Sequence, residues 1–454
     1  MTMKRLRSAA LVLMFLASTV PAGFAAEASS SDVDARIAAL EKQLEAVRVE
    51  LDALKRTAAT TASAATTAHT ATPTATIMAT ETHTAAGTHT RTAAAEHTSE
   101  ASEAANPMAA INSVLGGVTL TAAADVYYGY NANHPAGGTV TEPFQSNNNQ
   151  FALNLISFQL DKAPKKSDPL GFRFSMGFGQ AMNVVNGTDP AGLGFAQYFK
   201  EGYLSYLIPV GKGLQLDVGK FVTPAGAEVI ETSENWNYSR GLLFYYAVPF
   251  YHFGARAKYT FNDKLSITGF AVNGWNSLVD NNTGKTGGAS VAWHVTKKLS
   301  ITETYLGGPE QTSYNGSSRH LTDTVVAFNP NSKLSLQANF DYGRENMLVT
   351  TRKPVDWSGI AGYARYAFNP KLAVAARYEY FNDHDGFTTG KAQHMNEITA
   401  TIERKLARHL LSRLEYRHDS SNQNFFQRGV SSFVKGQTTV DAGLVFVLEP
   451  SESK

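Results

Sequence analysis

Glu228, Glu231 and Glu234 follow one another at steps of three, Arg240 comes soon after, and Arg256 and Lys258 stand two residues apart. Two bases at that spacing share one face of a strand. Acids on one element opposed to bases on another set up a field across the gap between them. In a narrow polar passage such a field orients dipolar solutes and sorts ions by sign. For bond-making chemistry the chain offers little. It has no Cys, which removes thiol nucleophiles, disulfides and thiolate metal sites. No His-Glu-x-x-His or nucleophile-elbow pattern occurs. Gly284-Lys285-Thr286 ends like a phosphate loop, but Val279 stands where its first glycine belongs. His69, His83, His89 and His97 lie in a polar tract with no carboxylate or Cys framework to fix a metal geometry. No catalytic, cofactor or metal site is therefore expected, and the chain is read as not an enzyme.

The three glutamates and Arg240 fall in the segment Thr223 to Pro249, which also holds the apolar run Leu242-Leu243-Phe244-Tyr245-Tyr246. A loop this apolar packs against something. What it could pack on follows from the flanking sequence, where segments of about ten residues alternate apolar and polar, as membrane strands do. In Lys371 to Phe381, Leu372, Val374, Ala376, Tyr378 and Tyr380 oppose Ala373, Ala375, Arg377, Glu379 and Phe381. Asn331 to Gly343 and Arg408 to Asp419 behave in the same way, whereas Lys298 to Gly307 and Leu321 to Asn329 alternate poorly. A repeated device joins the segments: Phe261-Asn262-Asp263-Lys264-Leu265, Phe328-Asn329-Pro330 and Phe368-Asn369-Pro370-Lys371-Leu372. With its variants it gives about seven short turns, alternating with eight longer loops, and so about 16 antiparallel strands in a closed transmembrane barrel. Composition agrees, with 17% charged and 11% aromatic residues. The net charge of +1 gives no sign of a nucleic-acid partner.

In such a barrel the long loop from 223 to 249 folds inward and makes a constriction. Its candidate residues are Glu228, Glu231, Glu234 and Arg240, facing Arg256 and Lys258. By parity Arg173, Glu201, Asp217, Asp341, Arg365, Arg377, Glu379, Arg413 and Arg417 face the lumen, as do Asp125, Glu397, Glu403, Glu415 and Asp441. The plain role for most of them is to pair across strands and fill a hydrated wall. A soluble sandwich or propeller is disfavoured, because its dry core could not hold so many charges.

Ahead of the barrel, expected over 113–454, come three segments. Residues 1–28 read as a secretory signal peptide, with Lys4, Arg5 and Arg7 before an apolar stretch and a small-residue exit. Residues 29–56 read as a coiled-coil helix with Val33, Ile37, Leu40, Leu44, Val47, Leu51 and Leu54 at heptad spacing. Residues 57–112 are an Ala/Thr-rich linker expected to be disordered. With an even strand count, helix and linker are expected in the periplasm.

One stretch resembles a known family. Gly219-Lys220-Phe221-Val222-Thr223-Pro224 leads through Glu228-Val229-Ile230-Glu231 to Asn237-Tyr238-Ser239-Arg240. Pro249-Phe250-Tyr251-His252-Phe253-Gly254 and Asn273-Gly274-Trp275 follow. This run is similar to the OmpL-like β-barrel porins of bacterial outer membranes, most specifically over Tyr203 to Thr286. The resemblance implies a channel-type outer-membrane barrel and a homo-oligomer, a trimer as in other porins. It brings no substrate. The expected function is passive diffusion of small hydrophilic solutes and ions across a lipid-embedded barrel. Two other readings stand beside it: an outer-membrane anchor tethering a periplasmic partner or the cell wall through the coiled coil, and a barrel enzyme.

Overall fold

The computed structural model describes residues 117–189 and 194–448. The signal peptide, coiled-coil helix and linker lie outside the described residues, as do residues 449–454.

The described strands are β1 (Thr119–Asn131), β2 (Gln150–Lys162), β3 (Leu170–Phe178), β4 (Phe199–Ile208), β5 (Leu214–Val222) and β6 (Tyr251–Asn262). They continue as β7 (Leu265–Val272), β8 (Thr286–His294), β9 (Leu299–Gly308), β10 (Arg319–Phe328), β11 (Leu334–Leu348) and β12 (Lys353–Asn369). Last come β13 (Leu372–Asp383), β14 (Gln393–Ala407), β15 (Leu410–Ser421), β16 (Phe426–Arg428), β17 (Ser432–Val434) and β18 (Gly436–Leu448). Each strand from β1 to β14 pairs antiparallel with the next, and β18 pairs with both β15 and β1. The result is a closed barrel of 16 strands, with β16 and β17 forming a separate hairpin in the last loop. Closure leaves no strand edge unpaired, as a wall in lipid requires.

Seven short connections gather at one end, where β1 also begins and β18 finishes. Their chemistry explains the repeated motif. Asn262 Oδ1 accepts the N–H groups of Lys264 and Leu265 at 2.8 and 3.0 Å. Asn331 does the same for Lys333 and Leu334 at 2.9 and 3.0 Å, and Asn369 takes Lys371 at 2.9 Å. Each side chain supplies the acceptor that a tight reversal takes away from the ladder. In the second copy the capping residue is Asn331, not the Asn329 of the motif. At the other end the loops are long, except that β11 and β12 run on to leave only 349–352 between them.

Inside and outside follow the pleat. On β13, Ala373, Ala375, Arg377, Glu379 and Phe381 are buried in the lumen, while Leu372, Tyr378 and Tyr380 are exposed on the outer face. Strands β9 and β10 keep this geometry too: Thr304, Leu306, Leu321 and Asp323 point in, Tyr305 and Phe328 out. Their sequence alternation fails because Leu306 and Leu321 face inward to an apolar cluster rather than to water. That cluster joins Phe221, Phe270, Val272, Trp357, Phe381 and Met395 of the wall to Leu242, Leu243, Ala247 and Val248 of the loop between β5 and β6. Part of the lumen is therefore a packed core.

Trp357 is wholly buried in it, and its ring lies flat on β11 at Gly343, where an added Cβ would meet the indole at 2.0 Å. The Trp357 Nε1–H donates to Ala247 O at 3.1 Å, so the ring cannot easily step aside. Gly343→Ala is expected to destabilise the lipid-refolded barrel by about 1–3 kcal/mol through overpacking, read from urea titrations.

Candidate functional site: the inward loop and the charged wall

The third long loop, L3, spans 223–250 between β5 and β6. Its base is closed by Thr223 N–H donating to Phe250 O at 3.0 Å. Within it, the Asn235 side chain both accepts from Val229 N–H at 2.9 Å and donates to Val229 O at 2.8 Å. Thr232–Glu234 forms a 3-10 turn and Leu243–Ala247 one π-helical turn. Outside these short turns the loop has no regular ladder, so most of its peptide groups need partners from elsewhere.

The wall supplies them. Arg413 donates to the carbonyls of Thr232, Asn235 and Asn237 at 2.5, 2.6 and 3.1 Å. Glu415 accepts the N–H groups of Tyr238 and Ser239 at 2.5 and 2.8 Å. Arg377 donates to Ser239 O, and Arg417 to Arg240 O, both at 2.7 Å. Glu379 accepts Leu242 N–H. From β1, Asp125 accepts the Tyr238 and Thr232 hydroxyls at 2.6 and 2.5 Å. These wall groups are wholly or nearly wholly buried.

Register explains how the charges coexist. One row across β13, β14 and β15 reads Glu379, Glu397, Asp419, and the next reads Arg377, Thr399, Arg417. Arg377 bonds Glu397 at 3.0 Å and Glu228 of the loop at 2.6 Å, and Arg417 bonds Asp419 at 2.8 Å. Lower down, Glu403 accepts from Arg365 and Arg413 at 2.8 and 2.7 Å. Guanidinium forks and paired carboxylates satisfy one another, and their remaining donors and acceptors hold the loop. Arg377 and Arg413 pair across strands as expected, and Arg377, Glu379, Arg413, Glu415 and Arg417 in addition bond to L3.

The expected opposition across the gap is also changed. Arg256 bonds Asp217 at 2.8 Å and lies over the rings of Tyr203 and Phe221, while Lys258 sits exposed further down β6. Neither meets the loop acids. Glu228, Glu231 and Glu234 instead line a cavity of about 280 Å³ whose bases are Arg173 and Lys200. Lys200 pairs with Glu231, and Arg173 reaches Asp161 at 2.7 Å and Glu201 at 3.6 Å. Burial alone would raise the Glu231 carboxyl, but Lys200 holds it below its usual range. A second cavity, about 320 Å³, adds Thr121, Ser157 and Ser233 and shares Gln159, Lys200, Glu231 and Glu234. Arg240 does not face either: it donates back to Ile230 O and Tyr238 O, over the Phe144 ring. Asp341 is wholly buried opposite Asp323 across the β10–β11 pair, beside Asn339, whose Oδ1 accepts Ala227 N–H at 2.9 Å.

Lys200 escaped the parity rule because the β3–β4 register shifts between Ser175 and Met176. That bulge turns a residue of lipid-facing parity inward. Among the described residues no group of three His, Asp or Glu side chains is placed to hold a metal ion.

The family described as "Putative beta-barrel porin-2, OmpL-like" matches residues 117–448, which is the whole barrel. The chain belongs to that family. It is thus an outer-membrane barrel of porin type. No curated protein matches its sequence. Among solved structures, the trimer form of OmpT, an outer-membrane protein of Vibrio cholerae, is similar at 13% identity, covering 73% of this chain and 99% of that one with a TM-score of 0.50. An anion-selective porin from Comamonas acidovorans is 11% identical, with coverages of 73% and 99% and a TM-score of 0.48. The outer-membrane channel DcaP of Acinetobacter baumannii is 10% identical, with coverages of 72% and 97% and a TM-score of 0.48. At these identities the likeness is one of fold.

At the long-loop rim, Glu310 accepts Trp275 N–H at 2.8 Å and the Thr286 hydroxyl at 2.5 Å. Burial pushes its carboxyl from 4.5 up to about 7. A group with a raised folded pKa binds its proton in the closed rim and releases it near 4.5 when freed. The closed rim is then most stable below about 4.5 and loses that stability as pH rises towards about 7. Amide exchange at Trp275, corrected for its intrinsic pH dependence, should speed up across that window, and Glu310→Gln should flatten the response.

Proposed function

We propose that this barrel carries small hydrophilic solutes and ions by passive diffusion, with L3 as its constriction. The observation behind the proposal is the seating of the loop on buried wall charges, beside cavities where Glu228, Glu231 and Glu234 oppose Arg173 and Lys200. An element that serves only as an anchor needs no polar lumen and no fixed inward loop. A polar gap of this size, lined by both signs, favours small solutes that carry charge or a dipole. The reading assigns the chain no reaction and no cofactor. The trimer form of the Vibrio cholerae protein supports a homo-oligomer, and we take a trimer as the assembly. Both barrel ends lie on the short-turn side, which faces the periplasm in bacterial barrels. On that ground we read the segment before residue 113 as periplasmic.

Planar-bilayer recording tests the proposal. Purified barrel should give stable open currents, and a silent barrel would reject it. Replacing Glu228, Glu231 and Glu234 together with glutamine should move the cation/anion permeability ratio towards anions by about threefold or more, because the gap loses three negative charges and Lys200 loses its partner Glu231. Unchanged reversal potentials would remove the loop acids from the selectivity filter. Arg377→Ala deletes the bonds to Glu228, Ser239 and Glu397 together. Unseating the loop in this way should raise single-channel conductance by about twofold and add current noise.

A further inference from the structure

The two rims of the barrel differ in charge. Each of the seven short connections carries at least one Lys or Arg, and together they hold nine bases against two acids, Asp168 and Asp263. Lys264, Lys297, Lys298, Lys333 and Lys371 serve the four connections from β6 to β13. Lys165, Lys166, Lys212 and Arg408 serve the other three. All nine are exposed. Among the described residues none of the nine is in an ion pair, and Asp168 is taken by Lys162 at 2.6 Å. At the long-loop rim both signs occur and meet: Lys285 pairs with Asp280, and Arg319 with Glu345 at 3.3 Å. The whole chain has a net charge of only +1, so the positive rim is a matter of placement and not of composition.

The placement has a second regularity. Strands β6, β8, β10 and β12 carry Phe261, Trp293, Phe328 and Phe368 within their last two residues, each exposed on the outer face. A lysine follows three to five residues later, in the turn itself. Exposed rings at the end of a membrane strand mark the boundary between hydrocarbon and headgroups. Lysines just past them stand at phosphate level, with apolar stems that can lie along the wall while the amine reaches out. Between the first two short connections lies a cavity of about 340 Å³, lined by Lys166, Pro169, Tyr206, Leu207 and Pro209. Apart from the Lys166 amine and the Tyr206 hydroxyl, no side chain in its lining is polar. Such a lining suits the glycerol esters and first acyl carbons of a lipid whose phosphate rests on Lys166.

We propose that the short-turn rim is a binding surface for anionic phospholipid headgroups. The nine bases meet the phosphates, and the cavity beside Lys166 seats the glycerol region of one lipid. A bilayer sets headgroups against both rims of any barrel it surrounds, so the membrane itself supplies the occupant. What the rim adds is selection by charge. An anionic headgroup gains from an unpaired base, whereas a zwitterionic one brings its own amine into the same ring. The inference goes beyond the channel reading and does not depend on it.

Purified full-length protein in bilayers of equal phosphatidylglycerol and phosphatidylethanolamine tests it, with the lipids that stay bound counted by native mass spectrometry. At one base per headgroup, phosphatidylglycerol should be enriched about fivefold, and the excess should shrink as salt is raised. Replacing Lys166, Lys264, Lys297, Lys333 and Lys371 with glutamine should cut the retained phosphatidylglycerol by about half, since five of the nine bases are gone. Replacing Arg352, Lys353, Lys391, Arg428 and Lys435 at the long-loop end removes the same charge and should leave retention unchanged. Both variants should fold, shown by the heat-dependent mobility shift in detergent electrophoresis. Equal retention of the two lipids by the wild type overturns the proposal, as does an equal loss in the two variants. Displacement of the bound lipid by inorganic phosphate also overturns it, by assigning the rim to free anions. A barrel that conducts nothing yet keeps its phosphatidylglycerol counts against the channel reading and not against this surface.

Discussion

The structure depends on one exchange between the wall and L3. A buried guanidinium or carboxylate is costly unless its hydrogen-bonding capacity is filled, and removing one partner from such a pair costs about 3–5 kcal/mol. An irregular loop inside a barrel has the complementary difficulty, since its peptide groups have lost water and have little ladder to join. Here each need answers the other. The forks of Arg377, Arg413 and Arg417 receive loop carbonyls, and Glu379 and Glu415 take loop N–H groups. The alternating acidic and basic rows on β13 to β15 keep the remaining charge balanced within a few ångströms.

The same exchange divides the lumen into two chemical zones. Where the Leu242–Val248 run meets Phe221, Leu306, Leu321 and Trp357, the interior is packed and apolar. Beside Glu228 to Glu234 it is open and charged, and Lys200, Arg173 and Gln159 line the gap. The loop is thus amphipathic along its length. Its acidic first half borders space, its middle is bonded to the wall and its apolar run is core.

Much of this was legible in the chain. Period-two alternation and the Asn-led turns are local signals, and they gave the strand count and the inward set that includes Arg377, Glu379, Arg413 and Arg417. The apolar run of L3 identified the loop as inward. The partners of its acids were not legible. A loop's path depends on contacts such as Glu228 with Arg377, 149 positions apart, and no spacing rule reaches that far. Lys200 was hidden by a bulge that reverses parity over one residue. Strands β9 and β10 looked irregular because the pattern reports water on the inner face, and there the inner face meets the apolar cluster instead.

L3 leaves the wall after β5, yet the charged groups that receive it lie on β13 to β15 and on β1. During assembly this loop is made long before its binding surface exists. It can settle only when the last strands have been added and β18 has met β1. Fixing of the passage is accordingly coupled to completion of the ring, and a half-built sheet would carry its gatepost unattached.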